Sequence, residues 1–353
     1  MTGVQTCALP ISVPGGHTLP TACVTQVTVL PTHRRRGLLR ELMDYQLRDA
    51  QARREPLAML LAAEWPIYGR FGYGPATEAA ATIVDAKIAE FSDPALRGTV
   101  EVVELPVLRE LAPAPFDVHR QTCPGAITRE PVMWDLQLGV IRSPLEDAPK
   151  NRVRVVHRSP SGDVDGYAVY DAGEQWEHNR PKVKLSVDEL IAINDDAYTD
   201  LWKFLCAIDW VSEVHANVRP VDEDIRHLFV NGRVARQADR SDNMWLRIID
   251  IPVALEARTY EAPVSVVLEI RDDLFGGGRY RLDGIAHGAT CTSTDEPADV
   301  ALDIDVLGAA YLGGSPLAGY VTAGRIDELT AGSVAALDRG LRTRRAPWAT
   351  TGF

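Results

Sequence analysis

The sequence predicts a mixed fold, α/β through its first two units and α+β in its third. Three observations predict it. Residues 20–73 read as strand, loop, helix, strand and short helix, and a helix crossing between two strands builds an α/β layer. Residues 163–250 again separate strands by an amphipathic helix. Beyond residue 264, a hairpin with a glycine turn is followed by a strand and helices.

Residues 20–30 (PTACVTQVTVL) alternate and are rich in Val and Thr, a strand pattern that Pro31-Thr32-His33 breaks. From Arg35 the period becomes helical. Leu38, Leu39, Leu42, Met43 and Leu47 recur at three- and four-residue steps, while Arg40, Glu41, Asp44, Arg48 and Asp49 form the solvated face. Pro56 to Glu64 holds a short apolar run that fits a buried parallel strand, and residues 66–76 (PIYGRFGYGPA) fit a short helix and turn.

Pro94, Pro106 and Pro113 surround a Val-rich stretch and mark a boundary region over residues 94–112. Asp163–Asp171 reads as a strand, and another begins at Pro181. Asp195–Trp210 reads as a helix with Leu201, Phe204, Leu205 and Ile208 on one face, and a further strand begins at Met244. Pro252–Tyr260 predicts a short helix. Val264–Asp272 and Arg279–His287 predict a hairpin turned at Gly276-Gly277-Gly278. Asp299–Gly314 predicts a strand then a helix, and Glu328–Arg342 the last helix.

The 353 residues are 46% hydrophobic and 24% charged, the balance of a soluble globular chain that buries its own core. No apolar run is long enough to cross a bilayer, and no secretory signal pattern opens the chain. Five cysteines, Cys7, Cys23, Cys123, Cys206 and Cys291, are scattered without metal-ligand spacing, which predicts reduced thiols, no metal and a cytoplasmic setting. The net charge of −12 opposes nucleic-acid binding; it suits cationic substrates and equally serves solubility. Residues 1–12 (MTGVQTCALPIS) resemble translated sequencing-adapter read-through and are expected to be a non-native leader.

Chemistry concentrates in residues 27–40 (VTVLPTHRRRGLLR). A strand end feeds a loop, and the loop feeds the N-terminus of an amphipathic helix. Such a terminus presents unpaired backbone N–H groups and partial positive charge. Gly37 lets backbone approach an anion closely, and Arg35, Arg36 and Arg40 add charge. The arginines fit a basic nucleic-acid patch, a solvated helix start or a pyrophosphate site. Three arginines at a helix N-terminus oppose its dipole, so a bound anion is the preferred reading. No Lys-Ser/Thr follows the glycine as in a P-loop, and the three glycines of a dinucleotide turn are missing. By spacing alone Tyr68 is a core or hydrogen-bonding residue and Phe353 a frayed end.

Arg34-Arg35-Arg36-Gly37-Leu38-Leu39 resembles the acetyl-CoA motif of the GNAT N-acetyltransferase superfamily, with Leu39 in place of its usual small residue, and Tyr68 to Tyr73 resembles its second motif. Together with residues 245–258 (WLRIIDIPVALEAR), residues 305–314 (DVLGAAYLGG) and a terminal Phe, the chain resembles the Eis family from about Val13 to Phe353. That resemblance implies two GNAT-like domains, the first incomplete, followed by a sterol-carrier-protein-like domain. The expected divisions are 13–93, 94–250 and 251–353. It implies acetyl-CoA as acetyl donor, direct transfer to a primary amine (aminoglycoside, polyamine or lysine side chain) and a homo-hexamer.

Carried over, Val27, Thr28 and Val29 lie on the strand that binds pantetheine. Arg35, Arg36, Gly37, Leu38, Leu39 and Arg40 cradle the pyrophosphate, and Ala63 and Glu64 line the cofactor. Tyr68 is the general acid, and the carboxylate of Phe353 the general base. The elements that precede the cofactor strand in this family are not found after residue 13, so an unpaired strand edge at 24–29 and an inactive chain are expected. The competing expectation is a non-catalytic scaffold or apolar-ligand carrier.

Overall fold

The computed structural model describes residues 3–141, 151–173, 176–177, 180–181 and 183–353. The chain folds into two compact units. One comprises Met1–Glu78, Gln121–Thr128 and Asp242–Phe353, the other Ala79–Arg120 and Arg129–Ser241. The divisions expected at 93/94 and 250/251 are not the boundaries of these units.

The elements run β1 Gly3–Ala8, β2 Thr21–Thr28, α1 Leu38–Ala52, β3 Leu57–Leu61, α2 Trp65–Tyr68, β4 Gly74–Pro75, β5 Glu78–Asp85, β6 Thr99–Val102, α3 Leu105–Leu111, α4 Pro113–Thr122 and α5 Pro131–Leu138. They continue β7 Arg152–Arg158, β8 Val164–Gly173, β9 Val183–Ala192, α6 Asp195–Cys206, β10 Val211–Arg219, β11 Ala235–Asp242, β12 Met244–Ile248 and α7 Ile251–Glu256. The last are β13 Val264–Arg271, β14 Gly278–Ile285, β15 Gly288–Ser293, β16 Val300–Asp303, α8 Ile304–Ala310, α9 Leu317–Thr322, β17 Ile326–Glu328 and α10 Ser333–Leu341.

In the first unit, one sheet has the order β1-β2-β3-β12-β4. β2 and β3 are parallel, joined through α1, and β12 runs antiparallel to β3 with Met244 opposite Leu61. The stripe read on α1 is the buried one: Met43, Leu47 and Ala50 pack with Ala22, Val24, Ala58, Leu60 and Trp245. Burying a side chain such as Leu47 contributes about 1.5–3 kcal/mol.

Residues 3–8, within the segment read as a leader, are part of this sheet. They pair antiparallel with β2, Cys7 opposite Cys23, and Leu9 and Ile11 are buried. The physical reason is the open edge of β2, whose unpaired backbone groups this extended stretch satisfies. The edge expected to be bare at 24–29 is thereby covered on that side, while Met1 and Thr2 lie outside the described residues.

The second sheet of this unit has the order β15-β14-β13-β16-β17, with the expected hairpin β13–β14 turned through positive-φ glycines 276–278. β17 and a turn at Gly332 take residues 326–332, so the last helix begins at Ser333 rather than near Glu328. α8 crosses directly over the backbone of β4 and β12. A Cβ on Gly74 would overlap the Asp305 carbonyl oxygen, and one on Gly308 would lie 2.5 Å from that of Leu246.

The other unit carries a seven-stranded sheet, β11-β5-β10-β9-β8-β7-β6, in which β9 and β10 are parallel and joined through α6. α6 ends at Cys206, not Trp210, which stands at φ 67°. The boundary region expected over 94–112 contains β6 and α3. Pro106 and Pro113 sit in the first turns of α3 and α4, where a missing N–H costs nothing, so two residues read as breakers are helix starts, and Pro131 likewise opens α5. The strand read from Pro181 is continuous only over β9; Lys182 lies outside the described residues.

Gly74→Ala is expected to lower unfolding stability by about 2 kcal/mol or more, the cost of overpacking against rigid backbone. Chemical denaturation measures it; an unchanged midpoint would refute the close approach of α8.

Candidate functional site

The β2–β3 ladder runs only from Thr21/Leu57 to Val24/Leu60, although β2 continues to Thr28. Gln26 takes φ 51° and the β1–β2 register shifts there, so the end of β2 is bulged. Among the described residues no strand pairs with β2 on the β3 side past Val24. Val27 and Thr28 therefore offer free backbone groups toward that slot, with Val29 just beyond the strand's end rather than in it.

Below the slot the chain turns through a short 3-10 helix at Pro31–His33, then Arg35 at φ 62° and Gly37 at φ 81°. Gly37 is the N-cap of α1 and supplies no side-chain cap. The first backbone bond of the helix is Glu41 N–H to Gly37 carbonyl, at 3.1 Å. The N–H groups of Leu38, Leu39 and Arg40 thus remain open at the positive end of the helix dipole. Nothing lies within 4 Å of where a Gly37 Cβ would stand, so an anion can reach these donors. Arg34, Arg35, Arg36 and Arg40 are exposed and, among the described residues, make no ion pair. The donor set fits a pyrophosphate.

The parallel pair in the other unit gives a direct contrast. Only Ile193 and Asn194 separate β9 from α6, and Asn194 caps that helix, its side-chain oxygen accepting from Ala197 N–H at 2.8 Å. Asp195 and Asp196 fill its first turn. A capped terminus with two acids repels phosphate, so of these two helices α1 is the one open to an anion.

At the end of β3, Ala63 and Glu64 are exposed, with Glu64 at the N-cap of α2. Tyr68 ends α2 and is 8% exposed, its ring edge-on to Tyr73 with centroids 6.4 Å apart. Burial, and then the Glu64 charge, push the Tyr68 hydroxyl above the usual phenol range. It stays protonated at neutral pH and can give up a proton.

Phe353 is half-buried at the end of an extended tail. Trp348 N–H bonds the Pro124 carbonyl at 2.9 Å, and Asn243 Nδ2 donates to the Ala349 carbonyl at 2.9 Å. Asn243 immediately precedes Met244, which faces Leu61, so the tail is fastened where β3 ends and α2 begins. Among the described residues no hydrogen bond links Phe353 to Tyr68. Ala349 of the tail is therefore held at the end of the sheet from which α2 and Tyr68 follow.

Sequence reasoning missed Trp65, Trp245 and Asn243. Trp65 stands exposed beside buried Trp245, ring centroids 4.9 Å apart. Arg70, also missed, lines a cavity of about 660 Å³ with Arg40 and Gly72. A Trp opening the PIYGRF stretch was the available signal for the first; nothing local marks the others. Among the described residues no cluster of His, Cys, Asp and Glu could hold a metal, and no helix is long and apolar enough to cross a membrane.

The sequence and the fold match known proteins. Family models described as acetyltransferase (GNAT) domains match residues 1–76 and 125–248, and one described as a sterol carrier protein domain matches residues 251–350. The N-acetyltransferase Eis of Mycobacterium tuberculosis is 37% identical over 327 residues, covering 90% of this chain and 77% of that protein. An uncharacterized N-acetyltransferase of Streptomyces griseus is 38% identical over 348 residues, covering 97% of this chain and 84% of that protein. The crystal structure of Eis1 from Mycobacterium abscessus superposes with a TM-score of 0.87 at 30% identity, covering 99% of this chain and 87% of that one. Two GNAT domains followed by a sterol-carrier-like domain are the architecture the motifs implied.

The paired substitution Arg35→Ala and Arg36→Ala is expected to weaken inorganic pyrophosphate binding about tenfold, ~1.4 kcal/mol. Titration calorimetry at fixed salt measures this, and equal affinity in the variant would show the anion binding elsewhere.

Proposed function

The chain belongs to the Eis family of GNAT N-acetyltransferases, and on that basis we propose that it transfers the acetyl group of acetyl-CoA directly to a primary amine. The observation that carries the reading is the uncapped, arginine-flanked N-terminus of α1 beside an open strand edge, with a protonated tyrosine at the end of the neighbouring strand.

Acetyl-CoA supplies the acyl group as an activated thioester. The N–H groups of Leu38, Leu39 and Arg40, with Arg35 and Arg36, hold its pyrophosphate. Gly37 leaves that approach open, and the free edge of Val27, Thr28 and Val29 aligns the pantetheine against Ala63 and Glu64. A protonated amine is no nucleophile, so a base must act first. The Phe353 carboxylate, ionised at neutral pH, takes the ammonium proton. Backbone N–H at Val29 stabilises the developing oxyanion. Tyr68 then gives its proton to the departing sulfur, and no covalent enzyme intermediate is needed.

The acceptors that fit are polyamines, aminoglycosides and lysine side chains, matching the chain's negative charge. A cytoplasmic homo-hexamer completes the reading by analogy with the family. One observation weighs against the apolar-carrier alternative. Arg258 is fully buried in the third domain, its Nη2 donating to the Leu341 carbonyl at 2.6 Å and its guanidinium over the rings of Tyr260 and Tyr311, so a charged group occupies part of that interior.

Tyr68→Phe is expected to lower kcat by about 10²- to 10⁴-fold with little change in KM for acetyl-CoA. Adding one residue after Phe353 should cost activity similarly, because it displaces the carboxylate. Thiol release from acetyl-CoA over an amine panel reads both, and full activity in either variant removes that residue from the mechanism.

The pH profile gives a separate check. Since burial and Glu64 both raise the Tyr68 pKa, the alkaline limb of kcat should lie above the free phenol value of about 10. Glu64→Gln removes a charge that disfavours phenolate, so it should move that limb to lower pH. A shift in the opposite direction would exclude Tyr68 as the titrating acid.

A further inference from the structure

Trp65 has no role in the mechanism above, yet it occupies the end of the sheet where the reaction takes place. It is the first residue of α2, one turn before Tyr68 and directly after Glu64. It is 60% exposed, a large apolar area to leave in water at the rim of a site. Its ring is nevertheless braced. It meets Trp245 edge-on, with centroids 4.9 Å apart and planes at 78°. Trp245 is buried in the α1 face of the sheet, and its Nε1 donates to Asp242 Oδ2 at 2.6 Å. Pro66, next along the chain, restricts the backbone.

The sheet order decides which reactant Trp65 meets. The cofactor slot lies between β2 and β3, on one flank of β3. Trp65 leans the other way, onto β12, the opposite flank. That is also the flank where Asn243 fastens the tail ending at Phe353. A base at the chain end and an acid at Tyr68 leave the acceptor on this side of β3. Glu64 directly precedes Trp65, Asp242 accepts from Trp245 Nε1, and on the other side Arg70 donates through Nε to the Ile67 carbonyl at 3.0 Å.

We propose that Trp65 is a specificity-determining residue on the acceptor side, whose exposed ring holds the second positive charge of a polyamine while its first amine reacts. The proposal rests on the acetyltransferase reading given above. An aromatic face attracts an ammonium within about 6 Å of its centroid. A monoamine has no second charge to place there, so Trp65 separates polyamines from monoamines by affinity rather than by rate. It touches neither proton transfer, so kcat is not its domain.

The test compares the intact chain with Trp65→Ala and Trp65→Phe, using spermidine and n-butylamine as acceptors at saturating acetyl-CoA. Trp65→Ala is expected to raise KM for spermidine several-fold, leaving kcat and the n-butylamine KM near the parent values. Trp65→Phe should recover most of the loss. An equal rise for both amines, an unchanged spermidine KM, or a rise confined to the KM for acetyl-CoA would each overturn the proposal, the last by placing the ring on the cofactor side. Calorimetric titration of spermidine keeps the two readings distinguishable. If the parent shows no amine-dependent thiol release, the acetyltransferase reading fails. A several-fold loss of spermidine affinity in Trp65→Ala still upholds the aromatic site, and equal affinity removes it.

Discussion

Direct contact between α8 and the backbone of β4 and β12 is the constraint on which the candidate site depends. Gly74 and Gly308 have no side chain at the crossing, so helix and sheet approach more closely than any Cβ would permit. That approach keeps β12 seated between β3 and β4, although β12 arrives from far along the chain. With β12 in place, β3 ends against Met244, α2 starts where it does, and Asn243 can grip the C-terminal tail. Arg247, buried on the same strand, adds a second tie. Its Nη2 meets both carboxylate oxygens of Asp272, at 2.9 and 2.7 Å, and fixes the turn between β13 and β14. A buried pair of this kind contributes little net stability, but losing one partner costs about 3–5 kcal/mol because the other charge stays buried.

The chain uses a parallel strand–helix–strand arrangement twice and equips it differently each time. In one, a positive-φ glycine leaves the helix terminus open, and four arginines surround it. In the other, an asparagine cap and two aspartates close the terminus. The same backbone idea therefore gives an anion site once and a scaffold once, and the difference lies in one or two residues before each helix. Electrostatics at a helix terminus acts within the first turn, which is why so short a segment decides it.

The chemistry at the site separates into a charged region and an aromatic region. Arginines and free N–H groups sit below the slot on the β2 side of β3. Tyr68, Trp65 and Trp245 lie on or beyond β3 toward β12. Burial of Tyr68 among Tyr73 and Phe71 disfavours its phenolate.

By itself the sequence determined what depends on neighbours in the chain. The period of Leu38 to Leu47 marked the helix. Gly37 after three arginines marked the open helix start, because a helix terminus is a local object. The glycine turn of the third domain was equally legible. Only the tertiary structure decided what depends on distant partners. Residues 3–8 joined a sheet because β2 had an edge to fill, and two prolines read as breakers, Pro106 and Pro113, proved to start helices because their first turns need no donor. Val29 fell just beyond β2, which ends at Thr28. Trp245 faces Leu60 and Asn243 holds Ala349 through pairings between distant parts of the chain, and no local pattern encodes a contact whose two halves lie that far apart.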